Sequence, residues 1–183
     1  MTTLRLRPPD AAMLPQFIAA LRQGWSPSNT RDMTGEALAA IAADAQAFLD
    51  DYAWAPGKMS RLADGSERPR LPGATLWMDD GEFCGTINYR FLPGTLDLPP
   101  DVLGHVGYAV VPWKRRRGYA TAALRLVLPL AAAAGLDRIM LTTDPDNVAS
   151  QGVIRAVGGQ EAARRPADEL YSEHCVFWIH TAR

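Results

Sequence analysis

The sequence predicts a single α/β domain, and three observations lead to that prediction. Apolar stretches with the two-residue period of strands alternate with stretches that have the 3.6-residue period of helices. The 183 residues are enough for one domain with a substantial core, and neither a repeat nor an interdomain linker interrupts them. Hydrophobic residues make up 48% and charged residues 21%, which is a globular composition. We therefore expect residues 1–183 to form one folded unit.

The first part of the chain is typical of a strand, two helices and a long loop. Residues 3–7 alternate apolar and polar side chains, which predicts the first strand. Asp10 can cap a helix that extends to about residue 22, and a second helix is predicted over residues 34–50. Proline, glycine and charged residues are frequent in residues 55–73, which we expect to form a long surface loop.

The second part of the chain alternates strands and helices. Two strands, residues 74–79 and 83–91, are joined by an Asp-Gly turn that predicts a hairpin. The later elements are a strand at 105–111, a helix at 118–135, a strand at 137–143, a helix at 147–159 and final strands at 160–164 and 173–181. Pro129 lies inside the first of these helices and is expected to kink or shorten it.

Composition and charge exclude several classes of protein. No apolar run approaches the roughly 20 residues that a membrane-spanning helix needs. The first ten residues lack the apolar region of a signal peptide, so we expect a cytoplasmic protein. Cys84 and Cys175 lie in apolar strands and are expected to be buried and reduced. The net charge of −1 argues against a nucleic-acid-binding face.

Four consecutive basic residues, 114–117, separate a strand from a helix in the stretch VVPWKRRRGYATAAL, residues 110–124. A helix N-terminus has unpaired N–H groups and about half a positive charge. Gly118 lets a ligand approach the backbone, so the stretch predicts a site for an anion such as a pyrophosphate. It contains neither a Walker A loop nor a G-x-G-x-x-G fingerprint, and a solvated charge run is the alternative interpretation.

The segment RRRGYA, residues 115–120, resembles the Arg/Gln-x-x-Gly-x-Gly/Ala signature of the GNAT acetyltransferases, whose loop holds the pyrophosphate of coenzyme A. HVGYAVVP resembles the fourth strand of that family, and NVASQGVIRAVGG resembles its Asn-x-x-Ala/Ser helix. The likeness covers about residues 74–179 and is similar to an uncharacterised bacterial branch with GHIGY and RKGYA motifs. It implies the GNAT fold, with a mixed, mostly antiparallel central sheet of about seven strands and helices on both faces.

The resemblance also implies where coenzyme A binds. The backbone amides of Val110 and Val111 would pair with the pantetheine arm, and Asn147 and Ser150 would contact pantetheine or the thioester end. The pyrophosphate would meet backbone N–H groups and positive side chains of Arg115, Arg116, Arg117, Gly118, Tyr119, Ala120 and Thr121. A helix cap at Asn147 and a small packing residue at Ser150 are the alternative interpretations.

The catalytic residues are less clearly marked. Acetyl transfer to an amine needs a route for the ammonium proton and an oxyanion donor, which strand N–H groups can supply. Many GNAT members place a general-acid tyrosine where this chain has Ile154, so Tyr108, Tyr171 or water must replace it, or the thiolate leaves unaided. His105 stands where many members carry a glutamate, and it is suited to act as the base. The alternative is a histidine satisfied within the sheet.

The function that the resemblance implies is an acetyl-CoA-dependent N-acetyltransferase that acts on a primary amine of a small molecule or peptide. A catalytically silent acyl-CoA-binding module and a nucleic-acid-binding protein that uses residues 114–117 are the alternatives. No metal is expected, since His174, Cys175 and His180 lack a metal-ligand spacing. No membrane partner is expected either, and a homodimer is an expectation by analogy with the family.

The acceptor site would be built from the first two helices and nearby loops. Those segments contain the aromatic and acidic residues Trp25, Tyr52, Trp54, Asp97 and Asp101, which would suit a cationic amine, although core aromatics and solvated charges are the simpler roles. Arg90 and Trp113 are expected to serve packing or surface pairing.

Overall fold

The computed structural model describes residues 3–29, 31–54, 57–61 and 66–181. Its helices are α1 (Leu14–Arg22), α2 (Thr34–Ala43), α3 (Ala45–Tyr52), α4 (Tyr119–Ala133) and α5 (Val148–Ala156). Its strands are β1 (Arg5–Arg7), β2 (Met59–Arg61), β3 (Glu67–Pro69), β4 (Gly73–Asp79), β5 (Phe83–Arg90), β6 (Val106–Val110), β7 (Arg138–Thr143), β8 (Gln160–Arg165) and β9 (His174–His180). None of the described helices is long and apolar enough to cross a bilayer.

The strands form two main sheets and one small hairpin. The first sheet has the order β1-β4-β5-β6, the second has the order β7-β9-β8, and β2 pairs with β3. Every ladder between described strands is antiparallel, which confirms the mostly antiparallel arrangement of about seven central strands. The two main sheets meet where the N–H of His105 donates to the Met140 carbonyl at 2.8 Å. Beyond that junction β6 and β7 separate, and the separation creates the gap described below.

Helices cover both faces of the first sheet, as predicted. Neighbouring strand residues point to opposite faces, and both Trp77 and Met78 are fully buried. Trp77 packs in a cluster with α1, α2 and α3, whereas Met78 packs in a cluster with α4 and α5. Each face therefore buries its own apolar core, and the continuous apolar run Leu-Trp-Met at residues 76–78 is typical of a strand that is buried on both sides.

The predicted helix over residues 34–50 is instead two helices that meet at Asp44. The Asp44 backbone is extended, and its carboxylate accepts from the N–H groups of Gln46 and Ala47 at 3.0 and 2.9 Å. An aspartate inside a helix competes for backbone donors in this way, so it starts a new helix. The prediction of one helix missed the cap because alanine on both sides supports helix throughout.

Two further expectations differ from the structure. The predicted surface loop over residues 55–73 contains the hairpin of β2 and β3, while residues 55–56 and 62–65 lie outside the described part. Pro129 does not shorten α4, which continues to Ala133. Pro129 is exposed. The carbonyl of Arg125, which loses its helical partner there, can therefore be hydrated.

Candidate active site

A cavity of about 730 Å³ lies where β6 and β7 separate. One wall comes from β6 and the start of α5, a second from the loop after α1 and the end of α3, and a third from the segment before β9. Among the predicted site residues, the cavity is lined by Tyr108, Asn147 and Ser150. Val110 ends β6, and residues 111–121 follow it and continue beyond this lined region.

The backbone of β6 offers N–H groups to this gap. Of the two amides that were predicted to face it, Val110 does so and Val111 does not. The Val111 N–H already donates to the Cys84 carbonyl at 3.0 Å, so the prediction that it pairs with pantetheine is wrong. In an antiparallel ladder alternate residues face away from the partner strand, which turns Val110 and Tyr108 toward the gap. Their carbonyls confirm the direction, because Val110 accepts from Arg115 Nε at 3.1 Å and Tyr108 accepts from Asn29 Nδ2 at 2.8 Å.

The basic loop, residues 114–118, has the geometry of an anion-binding site. Arg116 and Gly118 both adopt positive φ values, of 61° and 79°, which bend the chain directly before α4. No hydrogen bond within the described part of the chain uses the N–H groups from Arg116 to Thr121. A Cβ added at Gly118 would meet nothing within 4 Å, so the space in front of the helix is open. Arg115, Arg116 and Arg117 are exposed beside it, and these residues fit a pyrophosphate.

The fourth basic residue, Lys114, has a different role. Its side chain is 7% exposed, and Nζ lies 2.7 Å from Asp80 Oδ1 and 2.8 Å from Glu82 Oε2. The Tyr119 hydroxyl donates to the other oxygen of Asp80. The turn between β4 and β5 therefore holds residues on both sides of the basic loop. This ion pair removes Lys114 from the surface that a nucleic acid could meet.

The Tyr108 hydroxyl is held by α5. It is 2.8 Å from Ser150 Oγ, and the Ser150 N–H donates to Asn147 Oδ1 at 3.0 Å. Burial raises the pKa of Tyr108, although the hydrogen bond with Ser150 lowers it in part. The phenol is therefore protonated at neutral pH and can donate a proton. Ile154, where many family members carry their acid, is fully buried in the core.

His105 lies at the junction of the two sheets and outside the cavity wall. It is fully buried, its Nδ1 accepts from the Met140 N–H at 3.0 Å, and its Nε2 has no partner among the described residues. Burial, followed by the charge of Arg90, lowers the pKa of His105 to about 4. The interpretation of His105 as the catalytic base stays a prediction, and these contacts fit a neutral histidine that joins the sheets.

Replacement of His105 by asparagine tests both roles. An asparagine carbonyl can take the place of Nδ1 toward Met140 but cannot titrate. Because the folded pKa lies below the ordinary 6.5, the unfolded chain binds the extra proton, and wild-type stability falls as the pH drops from 6.5 to about 4. We expect His105→Asn to flatten this slope, by up to about 1.4 kcal/mol per pH unit, in urea unfolding at several pH values. A base role additionally predicts a loss of about 100-fold in kcat/KM, and an unchanged rate per folded molecule would contradict it.

The acceptor side of the cavity differs in part from the expectation. Tyr52 and Trp54 line the cavity, but Trp25 is buried in an aromatic cluster around Phe17. Asp97 is exposed, and Asp101 pairs with Arg68 at 2.9 Å. These two carboxylates therefore do not line the cavity.

Arg90 and Asn29 are site residues that the sequence analysis missed. Arg90 lines the cavity rather than serving packing alone, and Asn29 reaches the β6 backbone. The signal for Arg90 was the polar row Thr86, Asn88 and Arg90, which alternates along an otherwise apolar strand and so lies on one face. Within the described ranges, no group of three or more His, Cys, Asp or Glu side chains could hold a metal ion.

Comparison with known proteins finds a match to one protein family. A model of the acetyltransferase (GNAT) family matches residues 37–158. No curated protein matches the chain.

Solved structures share the fold over nearly the whole chain. RimJ of Mycobacterium smegmatis, in complex with a CoA disulfide, is 22% identical over 97% of this chain and 81% of its own, with a TM-score of 0.57. A GNAT-family acetyltransferase from Streptococcus pneumoniae is 17% identical over 97% of this chain and 98% of its own, with a TM-score of 0.59. RimL, a ribosomal L7/L12 alpha-N-protein acetyltransferase in complex with coenzyme A, is 14% identical over 98% of this chain and 95% of its own, with a TM-score of 0.60. At these identities the likeness shows the fold.

Proposed function

Because the chain belongs to the acetyltransferase (GNAT) family, we propose that it transfers the acetyl group of acetyl-CoA directly to a primary amine of a small molecule or a peptide. Family membership confirms the predicted class, an N-acetyltransferase with acetyl-CoA as its cosubstrate. The observation that carries the proposal is the continuity of the site. The free N–H groups of Arg116 to Thr121 follow β6 directly, and β6 turns its own free N–H groups and the Tyr108 hydroxyl to one gap.

The chain's own groups can perform the steps of direct transfer. The β6 N–H groups of Tyr108 and Val110 can hold the pantetheine arm and donate to the thioester oxygen as negative charge develops there. The neutral amine attacks the carbonyl carbon, the C–N bond forms and the C–S bond breaks. Tyr108 then gives its proton to the departing sulfur, while Ser150 donates to the phenolate that remains. The nitrogen loses one proton to water in the cavity as the amide forms, and a proton from water restores the Tyr108 phenol, so the products are the amide and the free thiol. Proximity along the gap supplies much of the remaining rate enhancement.

Replacement of Tyr108 by phenylalanine should lower kcat by about 100-fold and leave CoA affinity near that of wild type, because it removes the proton donor and no backbone group. A thiol is a fair leaving group, so the loss should be smallest at high pH, where the thiolate departs unaided. Stopped assays of thiol release across pH 6–9 measure this. Tyr89→Phe is the matched control, since Tyr89 lies on β5, the strand next to β6, and its ring stacks on that of Phe91. Equal kcat values for the two variants would refute the acid role.

The proposed function is tested by thiol release from acetyl-CoA with a panel of small amines and peptides, together with thermal stabilisation by CoA. Stabilisation with turnover of at least one amine supports it. Stabilisation without turnover of any amine favours the catalytically silent acyl-CoA-binding module, which the isoleucine at residue 154 makes conceivable. Absence of both, with binding to duplex or single-stranded oligonucleotides, favours the nucleic-acid-binding alternative.

Small amines and peptide amines both remain within the proposal. RimL is a ribosomal L7/L12 alpha-N-protein acetyltransferase, which supports inclusion of peptides in the panel. Cys84 and Cys175 are both free and buried, which is compatible with the proposed cytoplasmic location. The homodimer stays a prediction that sedimentation can test.

A further inference from the structure

Arg90 is a charged residue in the cavity wall that lacks an ionic partner. Its Nη1 donates to Asn88 Oδ1 at 2.8 Å, and its Nε is buried without a hydrogen-bond partner among the described residues. No salt bridge joins Arg90 to a carboxylate in the described part of the chain. Burial, and secondarily the nearby Arg68, lower the pKa of Arg90 to about 10, so the guanidinium is still charged at neutral pH. A buried charge that remains unpaired is costly, and proteins keep such groups for ligands.

The other two arginines around the cavity are paired with carboxylates. Arg70 lies 3.1 Å from the Asp51 carboxylate, and Arg68 lies 2.9 Å from that of Asp101. The neighbours that act electrostatically on Arg90 are Arg68 and the Tyr171 hydroxyl, and neither supplies a negative charge at neutral pH. His105 is neutral there as well. Asp144 is the remaining carboxylate of the wall, and it is exposed on the segment after β7. Asp144 is not among the groups that act on Arg90, so the Arg90 guanidinium has no negative partner among the described residues.

The guanidinium lies close to the strand on which the thioester is expected to sit. A Cβ added at Gly107 would be 3.9 Å from Arg90 Nη1 and 3.3 Å from Asn88 Oδ1. Arg90 Nη1 therefore lies over the β6 backbone at Gly107, which is next to Tyr108 in the chain. Arg90 also borders a second, smaller cavity that shares Trp54, Leu103 and Tyr171 with the first. An acceptor molecule can therefore reach Arg90 and the gap together.

From this arrangement we infer that the acceptor amine also carries a carboxylate, which Arg90 binds through its planar fork while the amine faces the thioester. The inference rests on the proposed function and specifies its substrate class, an amine of the amino-acid type. Arginine is suited to this role because its N–H groups match the two carboxylate oxygens. A carboxylate also balances the single free charge, whereas a phosphate monoester with about two negative charges would leave an excess.

The test compares amines that differ only in the anionic group. Calorimetry measures the binding of the twenty common amino acids, their carboxamides and their decarboxylated amines to the protein with and without CoA. We expect at least one amino acid to bind, with its carboxamide and its decarboxylated amine weaker by about 10- to 100-fold. In Arg90→Gln this preference should disappear, and Arg90→Lys, which keeps the charge and loses the fork, should retain only part of it. Arg125→Gln, on the exposed side of α4, is the matched control and should keep the full preference.

Each outcome separates this inference from the proposed function. Amino acids that bind no better than their carboxamides, or a preference that persists in Arg90→Gln, overturn the carboxylate site even if CoA binds and amines are acetylated. If no panel member binds, the carboxylate site is also overturned. If the protein acetylates only peptides, and their carboxylates do not affect binding, the acceptor is a peptide and the carboxylate site is overturned. If CoA fails to bind but the carboxylate preference and its loss in Arg90→Gln are observed, the proposed acetyl transfer fails and the anion site stands. CoA stabilisation of Arg90→Gln equal to that of wild type verifies that the variant is folded.

Discussion

Replacement of Gly118 by glutamate is expected to abolish coenzyme A binding by a protein that still folds. The new carboxylate would enter the open space in front of α4 and occupy the anion site, beside the three exposed arginines. The helix N-terminus favours that carboxylate for the same reason that it favours a phosphate. Loss of two charge-assisted hydrogen bonds corresponds to binding weaker by about 10²- to 10⁴-fold. Titration calorimetry with CoA measures the loss directly.

The backbone cost of this change can be separated from its effect on the ligand. Gly118 has φ of 79°, a left-handed conformation that costs a side chain about 1–2 kcal/mol. Gly135, at the other end of α4, has φ of 89° and also no atom within 4 Å of an added Cβ. Gly135→Glu should therefore lose a similar amount of stability and keep CoA binding. Wild-type CoA affinity in a folded Gly118→Glu variant would show that the pyrophosphate lies elsewhere.

Replacement of Lys114 by methionine is expected to destabilise the fold by about 3–5 kcal/mol, because Asp80 would stay buried without its cation. For a chain of this size that loss corresponds to a melting temperature lower by roughly 6–20 °C. Burial acts to raise the pKa of Asp80, but hydrogen bonds from Lys114 and Tyr119 outweigh it and hold the pKa below its ordinary value of 3.8. In wild type, the stability that the Asp80 carboxylate gains from these hydrogen bonds is present above pH 3.8 and is lost as the pH falls through the lowered pKa. Thermal melts at neutral and acid pH measure both effects.

A double variant identifies the cause of that destabilisation. Asp80→Asn alone breaks the same pair, whereas Lys114→Met with Asp80→Asn removes both charges and should recover part of the loss. Arg117→Met, at an exposed residue of the same loop, should change the melting temperature little. If Lys114→Met behaves like Arg117→Met, then the buried ion pair contributes no stability. CoA affinity of the surviving folded Lys114→Met protein should also fall, because Lys114 and Tyr119 hold both ends of the basic loop.

The anion loop could be predicted from the sequence because one continuous segment contains all of it. The exposed arginines, the glycine with positive φ and the start of α4 are neighbours in the chain, and their local backbone geometry gives the loop its bend. Local patterns also predicted the α/β class, since the periods of strands and helices are properties of single segments. The division of the predicted second helix at Asp44 was also local, but alanine-rich flanks masked it.

Contacts between distant segments decided the rest of the site. Lys114 meets Asp80 across 34 positions, and Tyr108 meets Ser150 across 42, and no local pattern contains such pairs. The register between β5 and β6 decides that the N–H of Val110, and not that of Val111, faces the gap. The neighbours of Arg90 come from several segments, and only their assembly shows that no described carboxylate pairs with it. The sequence alone thus determined the family and the fold class, and it marked the segment that we propose for the pyrophosphate, because continuous segments carry all three. The tertiary structure decided which donors are free, which charges are paired and which one is left for a ligand, because hydrogen-bonding directions and charge balance depend on strands and loops that are far apart in the chain.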